Sequence, residues 1–171
     1  MHDMKTIYHF FPEFVNAQIV HDFFGEWPSL YDSELLRIVL DRELGFDFDG
    51  PKVTMHVYCC ADWLAPDPET RKSCKIVFVF DSVEFGHISG FNHQNATVEF
   101  EVDKYHCDRL REERYRIIFG SCGAKIEFTC RAVHVVSIEP FEPPDYYNEG
   151  GAEPSRGDDL PGAAPHCCRP P

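Results

Sequence analysis

Polar and apolar residues alternate along most of the chain, as expected for β-strands with one buried face. The alternation is strictest at residues 96–102. The positions predicted to face inward there are Ala96, Val98, Phe100 and Val102. Thr97, Glu99 and Glu101 are then expected on the solvent side. Residues 74–80 are almost entirely apolar, which predicts a central strand covered on both faces.

Other strands are predicted by the same period of two. They cover residues 35–41, 52–60, 83–88, 114–119, 124–130 and 132–138. In the first of these, Leu36, Ile38 and Leu40 are expected to share the inner face. The Gly-Ser-Cys-Gly sequence at 120–123 separates two strands, and a short glycine-containing connection of this kind is typical of a β-hairpin.

One N-terminal segment has a helical period instead. Residues 12–24 begin with Pro12, repeat apolar side chains at Val15, Ile19 and Phe23, and are followed by Gly25. The sequence therefore predicts an α+β fold that is mostly antiparallel β. We expect a curled sheet or sandwich of about seven strands, with this one helix packed against it.

The composition changes after residue 142. The last 29 positions are rich in proline and glycine, poor in aliphatic residues and without a period, which is typical of disordered segments. We therefore predict a single domain over residues 1–142 and a disordered tail over 143–171.

The formal net charge is −13, from 16 basic and 29 acidic residues. Phosphate recognition depends on Lys and Arg, so this charge argues against nucleic acid or an anionic membrane as the partner. A basic partner protein is the natural complement, although acidity for solubility alone is an equal alternative. The N-terminus has no basic region followed by an apolar run, and no stretch reaches a membrane-spanning length, so we expect a cytoplasmic protein.

Eight cysteines and nine histidines raise the question of a metal or thiol site. The cysteines lie in neither CxxC pairs nor zinc-knuckle spacings, and an acidic setting raises a thiol pKa. We therefore expect reduced thiols, no metal, no cofactor and no catalytic residue. A small Cys/His-dependent or metal-dependent enzyme is the less favoured alternative.

Two stretches carry candidate functional residues. Trp27 opens a Trp-Pro-Ser turn that is followed by two carboxylates at alternate positions, Asp32 and Glu34. A core or capping role is favoured for the tryptophan, and solvated or interface carboxylates are favoured over an acid/base pair. The second stretch is a polar loop with Asn92, Gln94 and Asn95, for which a structural role is favoured slightly over recognition.

Together these stretches resemble the immunity protein 50 family. Residues 27–42 resemble its opening signature, residues 90–102 resemble its second signature, and the closing segment 119–140 fits as well. The resemblance covers about residues 22–140. It carries over as motif positions only: Trp27, Asp32, Glu34, Asn92, Gln94 and Asn95. One position departs from it, because Tyr31 stands where a histidine is expected.

The resemblance implies a cytoplasmic antidote in a bacterial polymorphic-toxin system, which binds and neutralises a cognate toxin domain. Many such toxins attack nucleic acids and are basic, so an acidic antidote would be drawn to them. We therefore predict a non-enzymatic immunity protein whose interface includes the motif positions together with Glu99 and Glu101. A small β-rich interaction or ligand-binding module is the alternative.

Overall fold

The computed structural model of the protein describes residues 4–42, 50–61, 72–90, 97–121 and 123–141. The predicted tail, 143–171, lies outside these residues and stays a prediction. So do the loop positions Asn92, Gln94 and Asn95.

Nine strands and one α-helix form within the described ranges, against the seven or so strands expected. The strands are β1 (Lys5–Thr6), β2 (Glu34–Asp41), β3 (Lys52–Ala61), β4 (Lys72–Asp81), β5 (Glu84–Ser89), β6 (Thr97–Cys107), β7 (Glu112–Ser121), β8 (Lys125–Cys130) and β9 (Ala132–Pro140). The helix, α1, spans Gln18–Phe24 and follows two short 3-10 turns, Ile7–His9 and Phe11–Glu13. The two-residue β1 is too short to give a periodic signal, so the alternation could not predict it.

The strands form two antiparallel sheets. The five-stranded sheet has the order β1-β6-β7-β8-β5, and the four-stranded sheet has the order β2-β3-β4-β9. The predicted mostly antiparallel α+β sandwich is therefore confirmed. So is the hairpin at 120–123, because β7 and β8 are paired neighbours along the chain.

Aromatic side chains join the two sheets. Phe80 on β4 meets Phe128 on β8 with ring centres 5.0 Å apart, and Phe78 meets Phe100 on β6 at 6.2 Å. All four rings are buried. Burying one such side chain contributes about 1.5–3 kcal/mol relative to leaving it exposed.

Strand β4 pairs with both β3 and β9, which confirms its predicted central position. The predicted cover on both faces is wrong, because Lys75 and Val79 on its outer side are only half-buried.

Strand β2 lies at the edge of its sheet and contains a β-bulge. Leu35 pairs with Val57, but the next paired residue is Arg37, so Leu36 is the extra residue. Leu35 therefore takes the core position that the alternation assigned to Leu36. Beyond the bulge Ile38 packs against the core as predicted, whereas Leu40 is 54% exposed on this edge strand although its partner Val53 is buried.

The N-terminal helix is shorter than its apolar pattern predicted. It starts at Gln18 rather than residue 12 because the backbone of Val15 pairs with β9 instead. Val15 donates its N–H to the Val133 carbonyl at 2.9 Å and accepts from the Val135 N–H at 2.9 Å. This bridge leaves the Val15 side chain 46% exposed, although the helical pattern placed it on the buried face.

Helix α1 packs beside β9, with Val20 and Phe24 buried. As predicted, Gly25 ends it, in a left-handed conformation with φ +86°, donating its N–H to the His21 carbonyl. The Lys72 ammonium donates to the Phe23 carbonyl at 2.9 Å, which places a positive charge at the negative end of the helix.

Candidate functional site

Trp27 lies near the start of the segment that links α1 to β2, and it is half-buried. Its ring stacks on buried Phe11, with centres 5.6 Å apart and planes 14° from parallel. The His21 ring lies 5.1 Å away on the helix. These contacts hold the tryptophan against the core, so its geometry is that of a packing residue.

The turn at residues 29–33, which we call the Tyr31 turn, contains two left-handed residues that are not glycine. Leu30 has φ +58° and Asp32 has φ +60°. Aspartate adopts this conformation fairly readily, but leucine is an outlier in it, at about 1–3 kcal/mol. The Leu30 side chain is 1% exposed, so its burial offsets this strain.

Two hydrogen bonds close the Tyr31 turn. The Ser33 N–H donates to the Leu30 carbonyl at 3.2 Å, and the Tyr31 N–H donates to the Ser29 hydroxyl oxygen at 3.2 Å. Leu30 and Ser33 are both buried on either side of the tip. The tip is therefore fixed at both ends, and it presents Tyr31 and Asp32 outward.

The carboxylates of Asp32 and Glu34 do not share one exposed side. Asp32 is exposed, whereas Glu34 is 8% exposed and lies opposite Tyr58 on β3. An extended chain would place side chains two positions apart together, but the left-handed backbone at Asp32 removes that geometry. Sequence spacing alone could not reveal this separation.

The outer face of β6 carries three carboxylates, which we call the acid ladder: Glu99, Glu101 and Asp103. They alternate with Phe100 and Val102, whose side chains are buried. Alternate residues of a strand are about 7 Å apart, so the three side chains follow one straight line. The outward direction of Glu99 and Glu101 agrees with the alternation in the sequence.

Basic side chains on and near the five-stranded sheet pair with acids outside the ladder. The pairs are Arg116 and Lys125 with Glu127, Arg109 with Glu84, Arg114 with Glu112, and Lys104 with Glu13. The hydrogen bonds from Arg116 and Lys125 lower the pKa of Glu127. These cations therefore form ion pairs with acids outside the ladder, although Arg116 lies directly opposite Asp103 on the neighbouring strand.

The outer face of the four-stranded sheet has charges of both signs. Lys75 pairs with Glu139 at 2.7 Å, and Asp81 lies 2.7 Å from the His134 ring. His56 sits across from Arg37 on the neighbouring strand. Partial burial, followed by the charges of Lys75 and Arg37, lowers the pKa of His56. This face is mixed, whereas the outer face of β6 is acidic.

Three cysteine thiols lie in the core. Burial raises the pKa of Cys59 to about 11, and it raises the pKa of Cys74 and of Cys130 as well. Thiolates are the nucleophilic form, so these thiols are not activated. Across the described part of the chain, no group of three or more His, Cys, Asp and Glu side chains is arranged to hold a metal ion.

The second motif begins next to a tightly packed glycine. Gly90 has φ +69°, and a Cβ added to it would lie 1.8 Å from the carbonyl oxygen of Gly123. Any other residue would collide with that backbone. The polar residues of this motif follow directly, outside the described residues.

Tyr31 was not among the residues that the sequence singled out for binding. Its departure from the expected histidine was the one signal at this position. The pattern of apolar residues does not indicate the left-handed conformation of Leu30, because leucine at a turn predicts no positive φ.

Among the described elements, no helix is long and apolar enough to cross a membrane.

Comparison with known proteins identifies a family. A family model described as Immunity protein 50 matches residues 16–141, a range that contains both motif stretches and strands β2 to β9. No curated protein and no solved structure matches the chain.

Proposed function

The chain belongs to the immunity protein 50 family, and on this basis we propose that it binds a cognate bacterial toxin domain and blocks it directly. Family membership supports an immunity role in general. The proposal adds that the protein acts in the bacterial cytoplasm, without catalysing a reaction, against a basic toxin such as a nuclease.

The acid ladder is the observation that carries the choice of a basic toxin. Its three carboxylates follow one line on the outer side of β6, beyond the register shift between Thr97 and Glu99. The chain as a whole carries −13, so its long-range field attracts a positive partner. A toxin that acts on nucleic acid needs a basic cleft, and an acidic face is complementary to such a cleft.

The three core thiols favour a binding role over an enzyme that uses one of them as its nucleophile. A catalytic cysteine needs a lowered pKa and an electropositive setting. Burial instead raises the pKa values of Cys59, Cys74 and Cys130. A protein that works by covering its target needs about 1,200–2,000 Å² of total buried surface rather than a reactive group.

Co-expression tests the proposal most directly. The full chain would be produced together with the toxin domain encoded beside its own gene, and surviving cells would be counted. We expect survival and a one-to-one complex on purification. Cell death despite soluble expression of this chain would remove the pairing. A complex that forms while the toxin stays active would remove direct blocking.

A charge-matched pair of variants tests the ladder within the same assay. In the first, Glu99, Glu101 and Asp103 are replaced by Lys. In the control, three exposed acids elsewhere, Asp22, Glu26 and Asp108, are replaced by Lys, which gives the same net charge. We expect the ladder variant to lose rescue and the control to keep most of it. Equal behaviour of the two would show that only total charge matters.

A further inference from the structure

Tyr31 is the described large apolar side chain with the highest exposed fraction. It is 62% exposed, ahead of Val136 at 57% and Leu40 at 54%. Exposed single apolar residues are common and need no explanation by themselves. Tyrosine differs from valine and leucine because it is enriched among residues that dominate binding energy at protein interfaces.

The backbone that presents Tyr31 is unusual in the same place. It lies between two left-handed residues, Leu30 and Asp32. Glycine or asparagine would adopt the Leu30 conformation at lower cost, so leucine there is a strained choice. The strain is tolerated because the Leu30 side chain is buried in the core and holds the turn in place.

The turn is also fixed before any partner arrives. The hydrogen bonds from Tyr31 to Ser29 and from Ser33 to Leu30 close it, and buried side chains flank it. Ordering a loop and its side chains normally opposes binding, at about 0.5–1.5 kcal/mol for each immobilised side chain. A turn that is already ordered avoids most of this loss.

We propose that Tyr31 anchors the toxin, with its ring inserted into an apolar socket and Asp32 pairing with a Lys or Arg at the socket's rim. Charge complementarity with the negative chain selects a basic partner, and the exposed Asp32 places a carboxylate beside the ring. The inference rests on the proposed function. It deepens that function by naming the residue that holds the toxin after contact.

The test measures the affinity of the full chain for the toxin domain encoded beside its gene. Tyr31→Ala should weaken binding by about 10–100-fold, mainly through faster dissociation. Tyr31→Phe should stay within about threefold, because the ring rather than the hydroxyl fills the socket. Tyr8→Ala is the control, since Tyr8 is a less exposed tyrosine, at 36%, in the separate 3-10 turn Ile7–His9, and its loss should leave binding unchanged.

The outcomes separate the two proposals. If the unaltered chain does not bind the toxin, the proposed function fails and this inference fails with it. If the unaltered chain binds and Tyr31→Ala stays within twofold, the anchor alone is overturned.

A second measurement needs no variant. Tyrosine nitration by tetranitromethane would be followed by mass spectrometry, in the free chain and in the purified complex. Tyr31 should be nitrated when free and protected in the complex, while Tyr8 is nitrated in both. Equal nitration of Tyr31 in both states overturns the anchor even if the alanine variant folds poorly.

Discussion

The Tyr31 turn and the acid ladder both expose carboxylates, but they are built in different ways. The turn is short and strained, and it depends on the burial of Leu30 for its shape. The ladder lies on the part of β6 that follows a register shift between Thr97 and Glu99, where the ordinary alternation of side chains points its three acids outward. The turn presents one aromatic ring in a fixed position, whereas the ladder presents charge along a line.

This difference assigns the two regions different parts of a binding reaction. Charge acts over about a Debye length, roughly 8 Å at physiological salt, and mainly raises the rate of encounter. A buried aromatic contact acts only after docking and mainly slows dissociation. Under the two proposals above, the ladder would attract a basic toxin and the turn would hold it.

Removing the Leu30 side chain, which holds the Tyr31 turn against the core, should have the largest effect on stability. Leu30→Ala leaves a cavity and keeps the positive φ, so we expect the free energy of unfolding to fall by about 2–4 kcal/mol. Urea denaturation measures it. Leu40→Ala is the control, because the Leu40 side chain is 54% exposed and its loss should change stability by less than about 1 kcal/mol. Similar losses in both variants would mean that Leu30 does not hold the turn.

The stability of the five-stranded sheet, which carries the acid ladder, depends on Gly90 directly after β5. In Gly90→Ala the new Cβ would collide with the Gly123 carbonyl, 1.8 Å away, and the residue would also keep φ +69°. We expect a loss of about 2–3 kcal/mol in the same denaturation experiment. Gly25→Ala has φ +86° but nothing within 4 Å, so strain alone should lower its stability by about 1 kcal/mol. Equal losses in the two variants would contradict the close approach.

Removing the charges of the acid ladder should slow association with the toxin and leave dissociation nearly unchanged. With Glu99→Gln, Glu101→Gln and Asp103→Asn combined, the association rate constant should fall about tenfold at low salt, while dissociation stays within about twofold. Stopped-flow mixing with the toxin domain measures both.

Salt and a matched control sharpen this result. The control combines Asp22→Asn, Glu26→Gln and Asp108→Asn, which remove the same charge elsewhere and should slow association less. At about 1 M salt, where the Debye length is about 3 Å, the variants should converge with the unaltered chain. A difference that persists at that salt concentration would mean that the ladder makes direct contacts.

The smallest effect concerns the mixed face of the four-stranded sheet. The pKa of His56 is lowered in the folded state, so the unfolded chain binds more protons as the pH falls below about 6.5. His56 therefore stabilises the fold above that pH, and its contribution is lost on acidification. Between pH 7.5 and 5.5, His56→Gln should lose about a degree less in melting temperature than the unaltered chain.

His87→Gln is the control for this measurement, since His87 is exposed on the other sheet. Its melting curve should follow that of the unaltered chain across the same pH range. An identical pH dependence for all three proteins would show that burial and the charges of Lys75 and Arg37 do not lower the pKa of His56.

The ladder was predictable from the sequence, and the turn was not. Outward Glu99 and Glu101 follow from a period of two, because side chains of a strand must alternate. The central strand β4 and the hairpin at 120–123 follow from similarly local rules. These features need no knowledge of what packs against them.

The missed features all depend on distant partners. Val15 leaves the helical pattern because β9 offers its backbone a pair of hydrogen bonds. Leu35 replaces Leu36 in the core because of a bulge that only the register with β3 defines. Leu30 takes a left-handed conformation because the core receives its side chain. Apolar spacing along the chain contains none of this information.

The N-terminal contacts also set the order of events during synthesis. Glu13 bonds to Lys104 and to Tyr115, which lie 91 and 102 residues further along the chain, and Val15 pairs with β9. A ribosome adds about 5–20 residues per second, so these partners emerge on the order of 10 s after the segment that needs them. Until then, Phe11 and Phe14 have no sandwich to enter. A newly translated chain can therefore complete the packing of its N-terminal segment only after β9 has left the ribosome.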